Sequence, residues 1–179
     1  MSKKNKLIGK DRREAIIEWL ENSEQPLTGS ELAERAGVSR QVIVQDVSLL
    51  KAKNNQIIST SQGYLLMQQT TNTKLHEKIV VVKHRPDQAK EELDCIVDQG
   101  VTVKDVIVEH PLYGELKAQV MVSDRHDVKQ FIKNITEKNA PYLSELTDGV
   151  HLHTLEAESE AKLDAAYQAL KDKGFIIND

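Results

Sequence analysis

The sequence is poor in the features that mark several common classes of protein. Its 179 residues include one cysteine, Cys95, which excludes an internal disulfide and fits a reducing cytoplasm. It contains no apolar run of about 18 residues, so no segment is expected to span a membrane. The first six residues, Met-Ser-Lys-Lys-Asn-Lys, lack the apolar segment of a signal peptide. These absences predict a cytoplasmic protein.

What the chain does contain is enough apolar sequence for a folded core. It is 39% hydrophobic and 29% charged, which predicts one or two globular domains. Cys95 has apolar neighbours in a helical pattern, so we predict a buried structural thiol and not a nucleophile. Residues 1–70 hold 10 Lys and Arg against 8 Asp and Glu, whereas residues 71–179 hold 14 against 20. The first 70 residues therefore carry a weak basic excess, and the remainder of the chain is acidic.

Residues 28–53 carry the pattern on which the functional prediction depends. They form two helix-period segments around Gly37, which can adopt the positive φ that closes the first helix, and Ser39 is a good N-cap for the second. Two helices joined by a short turn with glycine form a helix-turn-helix, whose second helix meets base edges in the DNA major groove. Its side chains are of types that bond guanine or adenine or touch a thymine methyl. The predicted DNA-contacting residues are Ser39, Arg40, Gln41, Val44 and Gln45.

The alternative is an ordinary helical hairpin whose polar second helix is solvated. The following residues favour DNA binding, because residues 56–60 and 64–67 predict two short strands around a turn. A helix-turn-helix followed by such a β-hairpin is a winged helix. A further helix is predicted at residues 11–22, with Arg12 and Arg13 facing outward toward the DNA backbone.

The polar run at residues 68–73 predicts a linker between a DNA-binding domain, residues 1–70, and a second domain, residues 71–179. The second domain shows the order βαββαβα, which predicts an α+β open sandwich with helices on one face of a mixed sheet. The predicted strands are residues 79–83, 101–109, 115–122 and 149–156, and the predicted helices are residues 86–99, 124–138 and 158–173.

Two histidines of the second domain share one strand. His151 and His153 occupy alternate positions, so both side chains leave the same face, with Cα atoms about 6–7 Å apart. Val150 and Leu152 then point the other way, to the core or across the sheet. The alternative is a pair of unliganded histidines on an exposed strand face.

Two more residues extend the pair into a candidate metal site. His84 closes the first strand, and Glu92 follows eight residues later, two turns into the next helix. If that helix leans over the sheet, both side chains converge with the strand histidines. Three imidazoles and a carboxylate suit zinc, nickel, cobalt or ferrous iron better than calcium or magnesium.

These residues resemble a known family. The winged helix-turn-helix, including Val38-Ser39-Arg40, is similar to that of biotin-repressor-type regulators. The second domain resembles the 3H domain, which is named for its histidines. That resemblance rests on residues 82–86, 91–93, 105–115 and 149–154, with the blocks Glu-His-Pro-Leu-Tyr-Gly-Glu and His-Leu-His.

The resemblance implies a bacterial niacin-responsive transcriptional repressor. Such a protein binds operator DNA as a homodimer and shuts off genes of NAD synthesis or niacin uptake when nicotinic acid, the corepressor, is abundant. The resemblance also implies a phosphocarrier-like fold for the sensor domain. The implied ligands of a transition metal, nickel or zinc, are His84, Glu92, His151 and His153.

The corepressor pocket is less sharply defined by the sequence. His110 and Tyr113 are candidates for its lining, although a histidine before Pro111 is also suited to cap the turn by bonding a carbonyl. Arg85 could pair with the carboxylate of nicotinate or be a solvated arginine. A metal with an open position could instead bind the ligand directly.

Two other functions are open at this point. The metal itself could be the signal of a metal-responsive repressor. A site of histidine and glutamate could also lower the pKa of bound water in a metal-dependent hydrolase fused to a DNA-binding domain. The sequence offers neither a nucleophile motif nor a separate acid–base pair, so we predict a regulator and not an enzyme.

Overall fold

The computed structural model describes residues 7–67 and 75–177. The predicted linker at residues 68–73 lies outside the described residues. The chain divides into two compact units, Met1–Thr71 and Asn72–Asp179. Within the described ranges, none of the helices has the length and apolar character needed to cross a membrane.

The amino-terminal unit is a winged helix, as predicted. The strands β1 and β2 pair antiparallel, and Leu27 adds a one-residue bridge to Tyr64 of β2. One apolar core joins the three helices to the wing. The elements are α1 (Gly9–Glu21), α2 (Gly29–Ala36), α3 (Arg40–Ala52), β1 (Ile57–Thr60) and β2 (Gly63–Leu66).

The turn between α2 and α3 forms largely as its sequence predicts. Gly37 has the left-handed backbone (φ 66°) that ends α2, and Ser39 occupies the N-cap position of α3 without a side-chain capping bond. At the other end of α2, the Thr28 hydroxyl accepts the Glu31 N–H while the Glu31 carboxylate accepts the Thr28 N–H. This capping box fixes where α2 begins, and its Thr-x-x-Glu pattern was a signal in the sequence.

The prediction that Arg12 and Arg13 face outward is wrong. Arg12 donates from Nε to Asp46 Oδ2 at 2.5 Å, and Arg13 donates from Nη1 to Asp46 Oδ1 at 3.2 Å. Asp46 lies on α3 and is only 2% exposed. A buried carboxylate needs charged partners, so both arginines tie α1 to α3 instead of facing solvent.

The carboxy-terminal unit has the predicted order βαββαβα. Its four-stranded sheet runs β3-β6-β4-β5, and all three strand pairs are antiparallel. The prediction of a mixed sheet is therefore wrong. β3 and β4 run parallel to each other, but β6 lies between them and pairs antiparallel with both. The elements are β3 (His76–Lys83), α4 (Ala89–Val97), β4 (Thr102–His110), β5 (Gly114–Val122), α5 (Arg125–Glu137), β6 (Val150–Ala157) and α6 (Glu160–Asp172), with 3₁₀ turns at Pro86–Gln88 and Leu143–Thr147.

Helices and sheet share one core in this unit. Its apolar side chains come from all four strands and from α4, α5 and α6, with Val82, Leu155 and Ile96 among the most completely buried. After α6, the chain returns to the edge of the sheet and forms a single bridge between Ile176 and Val82 of β3. The core extends along the sheet to the end of β3, where a buried polar cluster begins.

Candidate metal centre and DNA-contacting helix

The four side chains predicted as metal ligands converge inside the carboxy-terminal unit. His84 directly follows β3, Glu92 lies on α4, and His151 and His153 lie on β6. The antiparallel register of β3 and β6 places the end of β3 beside the start of β6, which brings His84 close to His151 and His153. The side chains of all four are between 2% and 4% exposed.

Glu92 stands at the centre of this cluster. Its Oε2 is 2.7 Å from His84 Nε2, and its Oε1 is 3.3 Å from His153 Nε2 and 3.5 Å from His151 Nε2. The rings of His84 and His153 each meet the His151 ring edge to face, with centroids 4.8 Å apart. Ligand atoms of His84, Glu92 and His151 all lie within 4.8 Å of one another. The cluster thus gathers three ring nitrogens and a carboxylate in a small buried volume.

The second ring nitrogen of each histidine faces a backbone carbonyl. The Nδ1 atoms of His84, His151 and His153 lie 2.8, 2.9 and 2.5 Å from the oxygens of Arg85, Gly149 and Asp105, in that order. A carbonyl can only accept, so each Nδ1 carries a proton, and Nε2 is the ring nitrogen that faces Glu92. Hydrogen bonds of this kind orient metal-binding histidines in proteins.

Glu92 and the histidines of the cluster each stabilise the charged form of the other. Burial alone would raise the pKa of Glu92, but His153, His151 and His84 outweigh it and hold that pKa well below its ordinary value. Burial opposes protonation of His84 and His153, yet the Glu92 carboxylate raises the pKa of both. The cluster therefore keeps an ionised carboxylate in the interior.

The donor set fits a transition-metal cation. Glu92 Oε1 and His153 Nε2 lie 3.3 Å apart without the geometry of a hydrogen bond, and both are buried without a hydrogen-bond partner among the described residues. Such unsatisfied polar atoms are costly in a protein interior. A cation bound by three imidazoles and the carboxylate would satisfy both atoms.

The first residues of β6 bury their polar side chains and not their apolar ones. His151 and His153 are buried on the face that α4 covers, while Val150 and Leu152 are half-buried on the opposite face. Of the two directions expected for Val150 and Leu152, to the core or across the sheet, the structure therefore excludes the core. The backbone carbonyls at Nδ1 and the charge of Glu92 offset the cost of burying these imidazoles.

Arg85 lies on the surface beside the cluster. Its guanidinium donates to both carboxylate oxygens of Asp87, at 3.0 and 2.8 Å. It lines a cleft of about 400 Å³ whose other walls include His84, Pro86, Gln88 and Gly149, as well as the acidic Glu145 and Asp148. His84 therefore belongs both to the buried cluster and to the wall of this cleft.

His110 and Tyr113 lie elsewhere, at the tip of the β4–β5 hairpin. His110 Nδ1 accepts the backbone N–H groups of Leu112 and Tyr113, both at 3.2 Å, and its ring stacks on Tyr113 with centroids 4.9 Å apart. His110 therefore caps the turn, but through N–H donors and not through a carbonyl. Tyr113 is 70% exposed, and neither residue lines the cleft of Arg85. The structure does not bring the three predicted pocket residues together.

The predicted DNA-contacting residues occupy the first two turns of α3 and its N-cap. Ser39, Arg40, Gln41 and Gln45 are exposed, and Val44 is half-buried. Arg40 passes close to the start of α2, where a Cβ on Gly29 would lie 3.3 Å from Arg40 Nε. These side chains are accessible on the second helix of the helix-turn-helix, the position from which such helices reach base edges.

Two residues that support the cluster were not predicted. Asp105 supplies the carbonyl that holds His153, and its place in an irregular stretch of β4 left no periodic signal. Gly149 adopts φ +86°, and a Cβ there would collide with the carbonyl oxygen of His84. The Asp-Gly pair before a strand was a sequence signal for this turn.

Comparisons with known proteins agree with this architecture. Residues 12–65 match the family model of an HTH domain, and residues 77–179 match that of the 3H domain. The chain is 54% identical over 180 residues to "Transcription repressor NadR" of Bacillus subtilis, covering 100% of both chains. It is 42% identical over 176 residues to "Probable transcription repressor NiaR" of Thermotoga maritima, covering 97% of this chain and 98% of that one. These relatives confirm a regulator and not an enzyme, and the chain belongs to the family of transcription repressors that join a helix-turn-helix domain to a 3H domain.

Proposed function

We propose that this repressor responds to nicotinic acid. In this proposal the amino-terminal unit binds operator DNA as part of a homodimer, and the carboxy-terminal unit senses the corepressor. The observation that carries the proposal is the buried cluster of His84, Glu92, His151 and His153 in the unit that follows the DNA-binding domain. The motifs around these residues are those through which the sequence resembles niacin-responsive repressors.

DNA binding is assigned to the first turns of α3. Arg40 and Gln41 offer the donors that read guanine and adenine in the major groove, and Val44 is suited to a thymine methyl. In a dimer, two such helices one DNA turn apart would read two half-sites. The exposure of these side chains supports the assignment.

A divalent transition metal, nickel or zinc, is assigned to the four-residue cluster. When bound, it would act as a cross-link between the end of β3, α4 and β6, because its ligands come from all three elements. His84, His151 and His153 would bind through Nε2, and the backbone carbonyls at Nδ1 would keep the rings in place.

Nicotinic acid is assigned to the cleft that Arg85 lines. A pocket of about 400 Å³ is large enough for a small ligand, and a guanidinium can exchange the Asp87 carboxylate for that of nicotinate. Because His84 lies in both sites, a ligand in the cleft would contact an element that the metal also holds. His110 and Tyr113 do not line this cleft, so the assignment rests on Arg85.

Corepressor and DNA would strengthen each other's binding by linkage. If nicotinate binds better to the arrangement that binds operator, operator binding must improve when nicotinate is present. Fluorescence anisotropy with labelled operator DNA measures this directly, in the presence of nicotinic acid or nicotinamide. We expect nicotinic acid to increase operator affinity and nicotinamide, which lacks the carboxylate, to have little effect. Equal operator affinity with and without nicotinic acid would reject the proposal.

A metal-responsive repressor is the second candidate. It is favoured by the burial of the cluster, whose side chains are at most 4% exposed. Operator binding by metal-stripped protein, measured after adding zinc alone, nickel alone or either metal with nicotinic acid, separates the candidates. Full operator affinity on adding metal alone would favour the metal as signal, whereas a further requirement for nicotinic acid would favour the first proposal.

A further inference from the structure

The strand β4 contains one extra residue where it pairs with β6. Thr102 and Val103 pair with Glu156 and Leu155, but the next pair joins Ile107 to Leu152. Three residues of β4 therefore face two residues of β6. This is a β-bulge, an irregularity that can redirect a side chain beside a functional site. Asp105 is the middle residue of the bulge.

Asp105 exchanges the usual roles of its backbone and side chain. Its carboxylate Oδ1 accepts the backbone N–H of Thr154 at 3.0 Å, a donor that a regular antiparallel ladder would give to a backbone carbonyl. The carbonyl oxygen of Asp105 accepts from His153 Nδ1 at 2.5 Å. The carboxylate thus takes the place of the carbonyl in the sheet, and the carbonyl holds an imidazole of the cluster.

The position of this carboxylate is fixed from the other side of β4. Asp105 is 1% exposed, and its Oδ2 lies 2.7 Å from Nζ of Lys117 on β5. A buried carboxylate with one cationic partner and one backbone donor has little freedom to move. The Asp105 side chain on β4 therefore links Lys117 on β5 to Thr154 on β6, next to the cluster.

We propose that Asp105 is a positioning residue for the metal centre. By occupying the Thr154 N–H, its carboxylate keeps its own carbonyl on His153 Nδ1 and so directs His153 Nε2 toward Glu92. Without the carboxylate, the buried Thr154 N–H would compete for that carbonyl, and His153 would lose the bond that fixes its ring and tautomer. This inference rests on the metal site of the proposed function.

The substitutions D105N and D105L test the role with side chains of nearly equal size. Asparagine keeps an acceptor oxygen for Thr154, and half-exposed Lys117 can turn to solvent, so we expect zinc affinity close to that of the wild type. Leucine removes the acceptor, and we expect zinc affinity to fall about 10–100-fold, as for the loss of other outer hydrogen bonds at metal sites. Competition with a chromophoric chelator measures both affinities.

A second measurement does not depend on metal. Nitrogen-15 NMR of the histidine rings in metal-free protein at alkaline pH reports which nitrogen carries the proton. We expect His153 in the wild type and in D105N to be protonated at Nδ1, and in D105L to lose that preference.

The proposal is overturned if His153 of the wild type is protonated at Nε2, or if D105L keeps both the wild-type tautomer and the wild-type zinc affinity. It is also overturned if D105N loses affinity as D105L does, since charge and not the acceptor would then matter. Failure of the wild type to bind zinc would refute the metal site, and the tautomer in wild type and D105N would still decide the role of Asp105. If D105L does not fold, the His153 tautomer in the wild type and in D105N still decides the role of Asp105.

Discussion

Cys95 donates its thiol to the backbone oxygen of Glu92 at 3.1 Å, on the helix that carries the centre of the cluster. Burial, followed by the nearby Glu92 carboxylate, raises the pKa of this thiol to about 12. Because only the thiolate reacts with disulfide reagents, we expect negligible modification of the folded protein at neutral pH, with the rate rising as pH approaches that pKa. Ellman's reagent measures this, with the unfolded protein as control. Equal rates for folded and unfolded protein would contradict the account.

Gly149 offers a second test at the scale of single residues. G149A would place a Cβ against the carbonyl oxygen of His84 and strain a backbone at φ +86°. Gly174 is a matched control, since its φ is +74° but a Cβ there would meet nothing within 4 Å. The left-handed backbone alone costs about 1–2 kcal/mol, so we expect G174A to lose that amount and G149A to lose more. Thermal unfolding measures the difference, and equal losses would show that the contact with His84 is unimportant.

At the scale of elements, α1 and α3 are joined by the buried carboxylate of Asp46. D46A would leave Arg12 and Arg13 without their partner in the interior, and removing one member of a buried ion pair costs about 3–5 kcal/mol. We expect the winged helix to unfold at lower temperature and operator binding to fall with it. The control is D98A, which removes the surface ion pair with Arg125 and should change stability little. A small effect of D46A on circular dichroism melting would contradict this account.

Gln41 tests the face of α3 that is assigned to DNA. Its side chain is exposed, so Q41A should leave the melting temperature unchanged. If Gln41 reads a base, its removal should weaken operator binding by about 1–3 kcal/mol and leave binding to unrelated DNA unaffected. Anisotropy with both DNAs measures the ratio. An equal loss on both sequences would assign Gln41 to the phosphate backbone instead.

The local elements could be predicted from the sequence, because helix and strand periods, turns and caps depend on residues close together in the chain. Gly37 ended α2 as expected, and the four side chains that converge around Glu92 are the ones that the sequence singled out. What could not be predicted depends on distant pairing. The burial of His151 and His153 requires Glu92 above the sheet, and the role of Asp105 requires a bulge that appears only when β4 meets β6.

At the scale of the whole molecule, metal binding should be visible as stability. A metal that binds only the folded protein adds about 2.7 kcal/mol at a free concentration 100 times its Kd. We expect zinc or nickel to raise the unfolding midpoint of the wild type but not of H151A. The matched control is H126A, which removes an exposed histidine outside the cluster and should keep the full response. An equal shift in H151A and H126A would place the metal elsewhere.

We propose that the carboxy-terminal unit controls DNA binding by the amino-terminal unit. Linkage requires that operator DNA change the affinity for nicotinic acid by the same factor as nicotinic acid changes the affinity for operator DNA. The most direct measurement is calorimetric titration of metal-loaded protein with nicotinic acid, alone and in complex with operator DNA. We predict tighter nicotinic acid binding in the complex, by the factor found in the anisotropy titrations. Nicotinic acid binding that is equally tight with and without operator would contradict the account.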